Sequence, residues 1–457
     1  MVLPVTPTTI PAEHAQAATA ESFTAEPDSL CDILGAEPRT LLIGVGENPT
    51  PLTLEAAGAH AAAHLLRSPH AAVDLRAWPK RHAAAFLTGA TQRAWRYERL
   101  RTIPPEDAPR LTQLDAITDD PALAKTWARQ HAVLTGAAFA RDLVTEPSNT
   151  LTPQGFITRL ARLQEAGIDL QILTGPALAE ARLGGLLAVG RGSIHPPALA
   201  ILRWPGTHEA PPVIFAGKGI TFDTGGICIK PADKMWEMRA DMAGAAACAG
   251  ALLALALRHS PAPAIAVLAL AENTTGADSY RPSDVLIHAN GTTVEVVDTD
   301  AEGRLVLMDA LGWATVQNPA AIIDLATLTG SVVTALGHEM AGLYDNDPAL
   351  AAAVAAAGAA VGERVWRMPI DTSHREALDS NIADLRHCSP ERMQPDASQA
   401  AAFLREFVGQ TPWVHLDIAG VESREEADDR YAAGATGFGV RLLDRLIADR
   451  YEDPHRV

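Results

Sequence analysis

Residues 212–257 read PVIFAGKGITFDTGGICIKPADKMWEMRADMAGAAACAGALLALAL, and three textures follow one another along them. The run 212–216 is short, apolar and rich in β-branched and aromatic side chains, which predicts a buried strand. Residues 217–241 are dense in glycine and charge and predict a loop. The stretch 242–257 is almost wholly Ala, Leu and Gly and predicts a helix with no face reserved for water. A buried strand that feeds a polar loop and then an apolar helix is the unit of a sheet covered by helices. At the carboxyl end of such a strand, the loop presents its side chains to a crevice.

The same alternation extends in both directions. Further strands are predicted at 169–173, 198–203, 264–270, 321–325 and 413–417, and further helices at 121–145 and 303–317. Together they give an α/β fold: a C-terminal domain, 121–457, with a central mixed, largely parallel sheet flanked by helices. A smaller N-terminal α/β domain is expected at 28–120, from a strand-like run at 40–45 and an Ala-rich helical stretch at 54–66. The polar, Pro-containing segment 102–107 reads as the approach to a linker, and residues 1–27, rich in Ala, Thr, Pro and Glu, read as a loose terminus.

Composition narrows the function. Asp and Glu number 55 against 37 Lys and Arg, a net charge of −18, which argues against nucleic acid as a main partner and leaves carboxylates to hold cations. No run of uninterrupted apolar residues reaches the ~18 that make a membrane span, and the first residues lack the charged start and apolar core of a signal peptide. The four cysteines show no CxxC spacing, so neither a disulfide framework nor a thiolate zinc site is expected, and a reducing cytoplasm suits them.

Two clusters carry the chemistry. The loop after 216 holds Lys218, Asp223, Lys230 and Asp241 among glycines that permit tight backbone paths. Taken alone it reads equally as a Lys218–Asp223 salt bridge with Lys230 and Asp241 in solvent. The second cluster is Asp298-Thr299-Asp300-Ala301-Glu302-Gly303-Arg304. Its carboxylates recur with period two and would point one way if the preceding strand continues, demanding a metal or Arg304 as compensation. Alternatively, Thr299 or Asp300 caps the helix that follows. Taken together, Asp223, Asp241, Asp300 and Glu302 form an oxygen donor set that suits Mn²⁺ or Mg²⁺ and tolerates Zn²⁺. Lysine is an unusual ligand, because its amine must first lose a proton.

These two blocks closely resemble the cytosolic leucyl aminopeptidase family of two-metal peptidases. So do RDLVTEPSNTLTP (141–153), AENTTGADSYRPSDVL (271–286), DLATLTGS (324–331), LDSNIADL (378–385), WVHLDIAG (413–420) and ATGFGVRLL (435–443). The likeness is collinear from about 140 to 445. It implies an aminopeptidase that hydrolyses the N-terminal peptide bond of peptides with a free N-terminal amine, through a metal-bridging water or hydroxide. By resemblance, Asp223 and Glu302 bridge two divalent metal ions, Lys218 and Asp241 complete one site, and Asp300 completes the other. The expected ions are Mn²⁺ or Zn²⁺, with Mg²⁺ and Co²⁺ as further candidates. Lys230 would stabilise the oxyanion, Arg304 would hold a bicarbonate that shuttles a proton, and Asp241 would bind the substrate amine. Met238, Thr327, Leu328 and Gly330 would contact the first residue of the substrate. The resemblance further implies a homohexamer, a cytoplasmic location and leucine-type or broad specificity in intracellular peptide turnover.

Two positions depart from the family pattern. Asp298 stands where the family has Asn, and is thereby a candidate for substrate contact. In RHCSPERMQPDASQAAA (386–402), Asp396 stands where glycine is common. Rival readings are a non-catalytic scaffold or DNA-binding member, another two-metal hydrolase such as a phosphatase, and a dipeptidase preference such as cysteinyl-glycine.

Overall fold

The computed structural model describes residues 1–104, 108, 110–391, 394–428 and 430–453, so part of the expected linker, 105–107, lies outside them. Two compact units result: Met1–Leu134 with Arg424–Gly434, and Thr135–Ser423 with Ala435–Val457.

The first unit is built on five strands, β1 (Val2–Val5), β2 (Leu30–Ile33), β3 (Thr40–Gly44), β4 (His70–Asp74) and β5 (Gln113–Ile117), in the order β2-β3-β1-β4-β5. Only β2 runs antiparallel to its neighbour. The expected loose terminus is therefore corrected, because β1 lies in the middle of the sheet with Val2 and Val5 buried. Four residues interrupted by Pro4 offer no alternation to read, and only pairing with β3 and β4 makes them a strand. The helix Pro51–Leu65 begins earlier than its alanines suggest, because Thr50 accepts from the Thr53 N–H (3.2 Å) and Pro51 is preset for the first turn.

The second unit contains β6 (Asp169–Thr174), β7 (Ala198–Trp204), β8 (Val213–Asp223), β9 (Ala264–Asn273), β10 (Val285–Ile287), β11 (Thr293–Glu295), β12 (Ala321–Ala326), β13 (Ala341–Asp345), β14 (Val365–Arg367), β15 (Leu385–Arg386) and β16 (Trp413–Asp417). Eight of these make one sheet, ordered β14-β13-β16-β12-β8-β9-β7-β6. The four central strands, β16, β12, β8 and β9, are mutually parallel, and antiparallel pairs flank them at β13 and β7. A mixed, largely parallel sheet is what the alternating pattern predicted.

Strand periodicity builds two cores. Ala266, Leu268 and Leu270 of β9 join Phe215 and Leu416 on one face, beneath the helices Ala243–Leu257 and Val440–Arg450. Ile265, Val267 and Ala269 join Ile214 and Trp413 on the other, against the helix Glu302–Thr315. On the first face the helix lies unusually near the sheet. A Cβ on Gly244 would stand 2.0 Å from the Leu325 carbonyl oxygen, and one on Gly217 would stand 2.5 Å from the Ala245 Cα. The run of small residues at 243–251 is what lets backbone approach backbone here.

Candidate active site

From β8 the chain passes to β9 on one side, and later returns to β12 on the other. Connections leaving a strand in opposite directions open a crevice at its carboxyl end. Pairing of β8 with β12 stops at Gly217, so from Lys218 onward β8 projects past its neighbour. This is why β8 runs to Asp223, well beyond the predicted 216: the polar extension is held by β9 alone. The side chains of both sequence clusters meet there.

Neither bland reading of the loop survives. Lys218 pairs not with Asp223 but with Asp241 Oδ1 (2.7 Å) and Glu302 Oε1 (2.9 Å), and donates to the Thr327 carbonyl (2.8 Å). Lys230, expected in solvent by that reading, lies against Asp223 Oδ2 (2.8 Å) and Asp300 Oδ1. Asp241 is buried, and its Oδ1 accepts from the Thr327 hydroxyl (2.8 Å). Asp223, Asp300 and Glu302 each bring one oxygen to within 4.8 Å of the others.

The second cluster converges by a different route from the period-two strand. β11 ends at Glu295, residues 298–301 turn, and Glu302 opens a helix whose N-cap, Ala301, has no side-chain cap. Thr299 and Asp300 therefore do not cap it. The carboxylates of Asp300 and Glu302 point together because the turn and the first helical residue aim them there. Asp298 stays exposed, and its Oδ1 accepts from the Asp300 N–H (2.9 Å).

Four carboxylates face two ammonium groups in this pocket, an excess of two negative charges. Burial and the charge of Asp223 push Asp300 up to about 7, against the pull of Lys230. Burial also raises Asp241 and Glu302, with Lys218 opposing. Burial alone would strip Lys218 of its proton, yet Asp241, Glu302 and Asp223 hold it above its ordinary range, and Asp223, Glu302 and Asp300 do the same for Lys230. Asp241 Oδ2 and Glu302 Oε2 are buried without a hydrogen-bond partner. A pocket with surplus negative charge and unanswered carboxylate oxygens fits divalent cations.

Sequence reasoning gave no role to the groups that hold this pocket open. Asn273 Nδ2 donates to Asp223 Oδ1 (2.7 Å) and to the Thr299 carbonyl (3.0 Å), and the Tyr280 hydroxyl donates to the same carbonyl (2.8 Å). The Thr299 hydroxyl donates to the Gly225 carbonyl (2.7 Å) and accepts from the Cys228 N–H (2.8 Å). Gly225 and Gly226 take positive φ (85° and 64°), the tight path their sequence suggested. The only signal was that Asn273 and Tyr280 fall within the family-like block 271–286.

The substrate-contact candidates lie on flanking segments. Met238 is half-buried on the short helix Met235–Ala240, which leads into Asp241. Thr327 and Leu328 follow β12; Leu328 packs partly on the second core, and its N–H donates to Asp417 Oδ1 (3.1 Å). Gly330, exposed, starts the helix Gly330–Leu336.

Arg304 turns away from the carboxylate cluster. Its Nη1 donates to the His387 carbonyl (3.0 Å) and its Nη2 to Asp396 Oδ1 (2.7 Å), while Nε has no hydrogen-bond partner. The bicarbonate expected on Arg304 fits these residues poorly: the guanidinium keeps free N–H groups, but the Asp396 carboxylate already neutralises it and would repel a second anion beside it.

Comparison with known proteins is consistent across sequence and structure. The family model described as "Cytosol aminopeptidase family, catalytic domain" matches residues 138–444. A "Probable cytosol aminopeptidase" of Methylorubrum populi is 42% identical over 385 residues, covering 82% of this chain and 77% of the relative. One of Nitrobacter winogradskyi is 38% identical over 455 residues, covering 96% and 90%. Among solved structures, "Bottromycin maturation enzyme BotP in complex with Mn" superposes with a TM-score of 0.90 at 33% identity, covering 98% of each chain.

Proposed function

Since the chain belongs to the cytosol aminopeptidase family and is a metal-dependent hydrolase of N-terminal peptide bonds, we propose that its active site is the pocket at the end of β8. Asp223 and Glu302 would be shared by two divalent cations, Asp241 would complete one site together with Lys218, whose proton the cations would displace by taking over the carboxylates that hold it, and Asp300 would complete the other. The observation that carries this reading is the pair of buried, unpartnered oxygens, Asp241 Oδ2 and Glu302 Oε2, in a pocket with more carboxylates than ammonium groups. Mn²⁺ or Zn²⁺ suits the donor set. When bound, such a pair of cations acidifies water and polarises an amide carbonyl.

The chain's own groups supply the rest. The Lys230 ammonium, kept charged by its carboxylate neighbours, stabilises the oxyanion of the attacked carbonyl. Asp241 Oδ2 accepts a hydrogen from the substrate's α-amine, while Thr327 holds Oδ1 and so fixes the carboxylate plane. An acylated N-terminus is an amide whose nitrogen lone pair is delocalised, and its acyl group crowds the same space, which limits cleavage to free N-termini. Met238, Asp298, Thr327, Leu328 and Gly330 contact the first residue and its backbone and give leucine-type or broad specificity. We further propose that the unit Thr135–Ser423 with Ala435–Val457 is the peptidase domain, that the unit Met1–Leu134 with Arg424–Gly434 is accessory, and that the enzyme acts as a cytoplasmic homohexamer in peptide turnover.

The test is hydrolysis of Leu-p-nitroanilide by protein stripped of metal and resupplied with Mn²⁺ or Zn²⁺, beside Asp300→Ala and an N-acetylated substrate. Restored activity that is lost in the variant and with the blocked amine is the expected result. Activity independent of metal, or undiminished on the blocked amine, overturns the reading.

A further inference from the structure

Arg304 lies in the first turn of the helix Glu302–Thr315, two residues past Glu302, with its side chain 3% exposed. A guanidinium buried to this degree requires an anion, because an unpaired charge out of water costs several kcal/mol on the order-of-magnitude scale of such groups. That anion is Asp396. Its carboxylate is 41% exposed, so it reaches Arg304 from the solvent side. Asp396 is the first residue of the helix Asp396–Arg405, where a negative charge is favoured by the helix dipole.

The arm carrying it is fixed. The Ala397 N–H donates to Ser331 Oγ (3.0 Å), which ties the start of this helix to the helix Gly330–Leu336, and the Gln399 N–H donates to the Pro395 carbonyl (3.0 Å). A glycine at 396 would leave Nη2 with no carboxylate, so a dissolved anion would have to serve.

We propose that Asp396 is the resident anion of Arg304: its carboxylate occupies the place a dissolved bicarbonate would take, and this enzyme needs none. The inference rests on the aminopeptidase reading of the pocket for its catalytic meaning, but not for its binding meaning. Asp396 acts here as a positioning residue. It neutralises and orients Arg304, and no bond to substrate is assigned to it.

The experiment compares the wild-type holoenzyme with Asp396→Gly and Asp396→Ala in buffer freed of carbon dioxide, titrated with bicarbonate against chloride of equal ionic strength. Two readouts are taken: the melting temperature, which rises when an anion binds the folded state, and kcat on Leu-p-nitroanilide. In the wild type, bicarbonate is expected to shift neither beyond the chloride control. In both variants bicarbonate should raise the melting temperature, with an affinity about tenfold or more above the wild type, the order expected when a charged competitor is removed. In both, kcat should start low and recover as the anion binds. If the glycine variant does not fold, alanine, a good helix former that also vacates the place of the carboxylate, carries the test. Bicarbonate that stabilises or activates the wild type as much as the variants overturns the proposal, and so do variants that gain no anion binding. If all three proteins lack peptidase activity while the variants alone bind bicarbonate, the resident-anion inference stands and the aminopeptidase reading of the pocket falls.

Discussion

Gly303→Ala should destabilise this protein, although the same change in an open helix stabilises by ~0.5–1 kcal/mol. Gly303 is the second residue of the helix Glu302–Thr315, and an added Cβ would stand 2.7 Å from Lys218 Cε and 2.8 Å from Nζ. The far end of a lysine usually swings aside at little cost. This one is pinned by Asp241, Glu302 and the Thr327 carbonyl, and its side chain is 4% exposed. Relieving the overlap means moving the ammonium by about 1 Å, enough to break at least one charge-assisted hydrogen bond worth ~1.5–3 kcal/mol. Set against the gain in helix propensity, a net loss on the order of 1–2 kcal/mol remains. Urea unfolding of chelator-treated protein reads it, because metal binding then adds nothing to the difference. In a Lys218→Ala background the overlap is gone, and alanine at 303 should regain its ordinary advantage. The pair of backgrounds forms a double-mutant cycle with a coupling of about 2 kcal/mol. An unchanged or raised midpoint for Gly303→Ala alone, or an equal penalty in both backgrounds, would refute the reasoning.

Lys230→Met should lower kcat by about 10²–10³-fold, the usual cost of losing one oxyanion donor, while bound metal measured by elemental analysis stays within error. Asn273→Ala removes the donor shared by Asp223 and the Thr299 carbonyl. It should cost ~1–3 kcal/mol by urea unfolding and weaken Mn²⁺ binding by calorimetry. Asp309 is pushed up to about 8 by burial, with the Leu186 N–H donating to it (2.8 Å). The folded state thus keeps a proton that the unfolded chain releases near pH 4. Its contribution is full below about pH 4, declines as pH rises, and is lost beyond about pH 8. Asp309→Asn should therefore flatten stability between pH 5 and pH 9, measured by unfolding midpoints, with the variant more stable at the alkaline end.

Local pattern made the central sheet legible, because strands such as β9 and β12 are short continuous apolar runs buried on both faces. β1 was not legible, since Val2–Val5 is a strand only through its pairing with β3 and β4. The chemical residues could be named from spacing and likeness, but their pairing could not. The loop taken alone suggested a Lys218–Asp223 pair, five residues apart, whereas Lys218 meets Asp241 and, 84 residues on in the sequence, Glu302. The Asp298-to-Glu302 carboxylates looked like one face of a strand, and converge instead through a turn and a helix start. The clamp of Asn273, Tyr280 and Thr299 was invisible for a related reason: buried amides and hydroxyls show in sequence only as ordinary polar residues, and their value lies in partners brought by the fold. Arg304 and Asp396, 92 positions apart, illustrate the limit most clearly. The sequence flagged Asp396 as a departure from the family, and only the fold gives it a partner.

The near contact between the helix Ala243–Leu257 and the sheet also bears on how this enzyme can change. With a Gly244 Cβ fated to collide with the Leu325 carbonyl, and Gly217 with the Ala245 backbone, the floor of the pocket has no slack for a bulkier residue. Any lineage, or any engineer, seeking a new substrate range must leave that floor alone and draw variation from the segment that follows β12, at 327–330. The chemistry is inherited on a fixed bed, and diversification is confined to the loops above it.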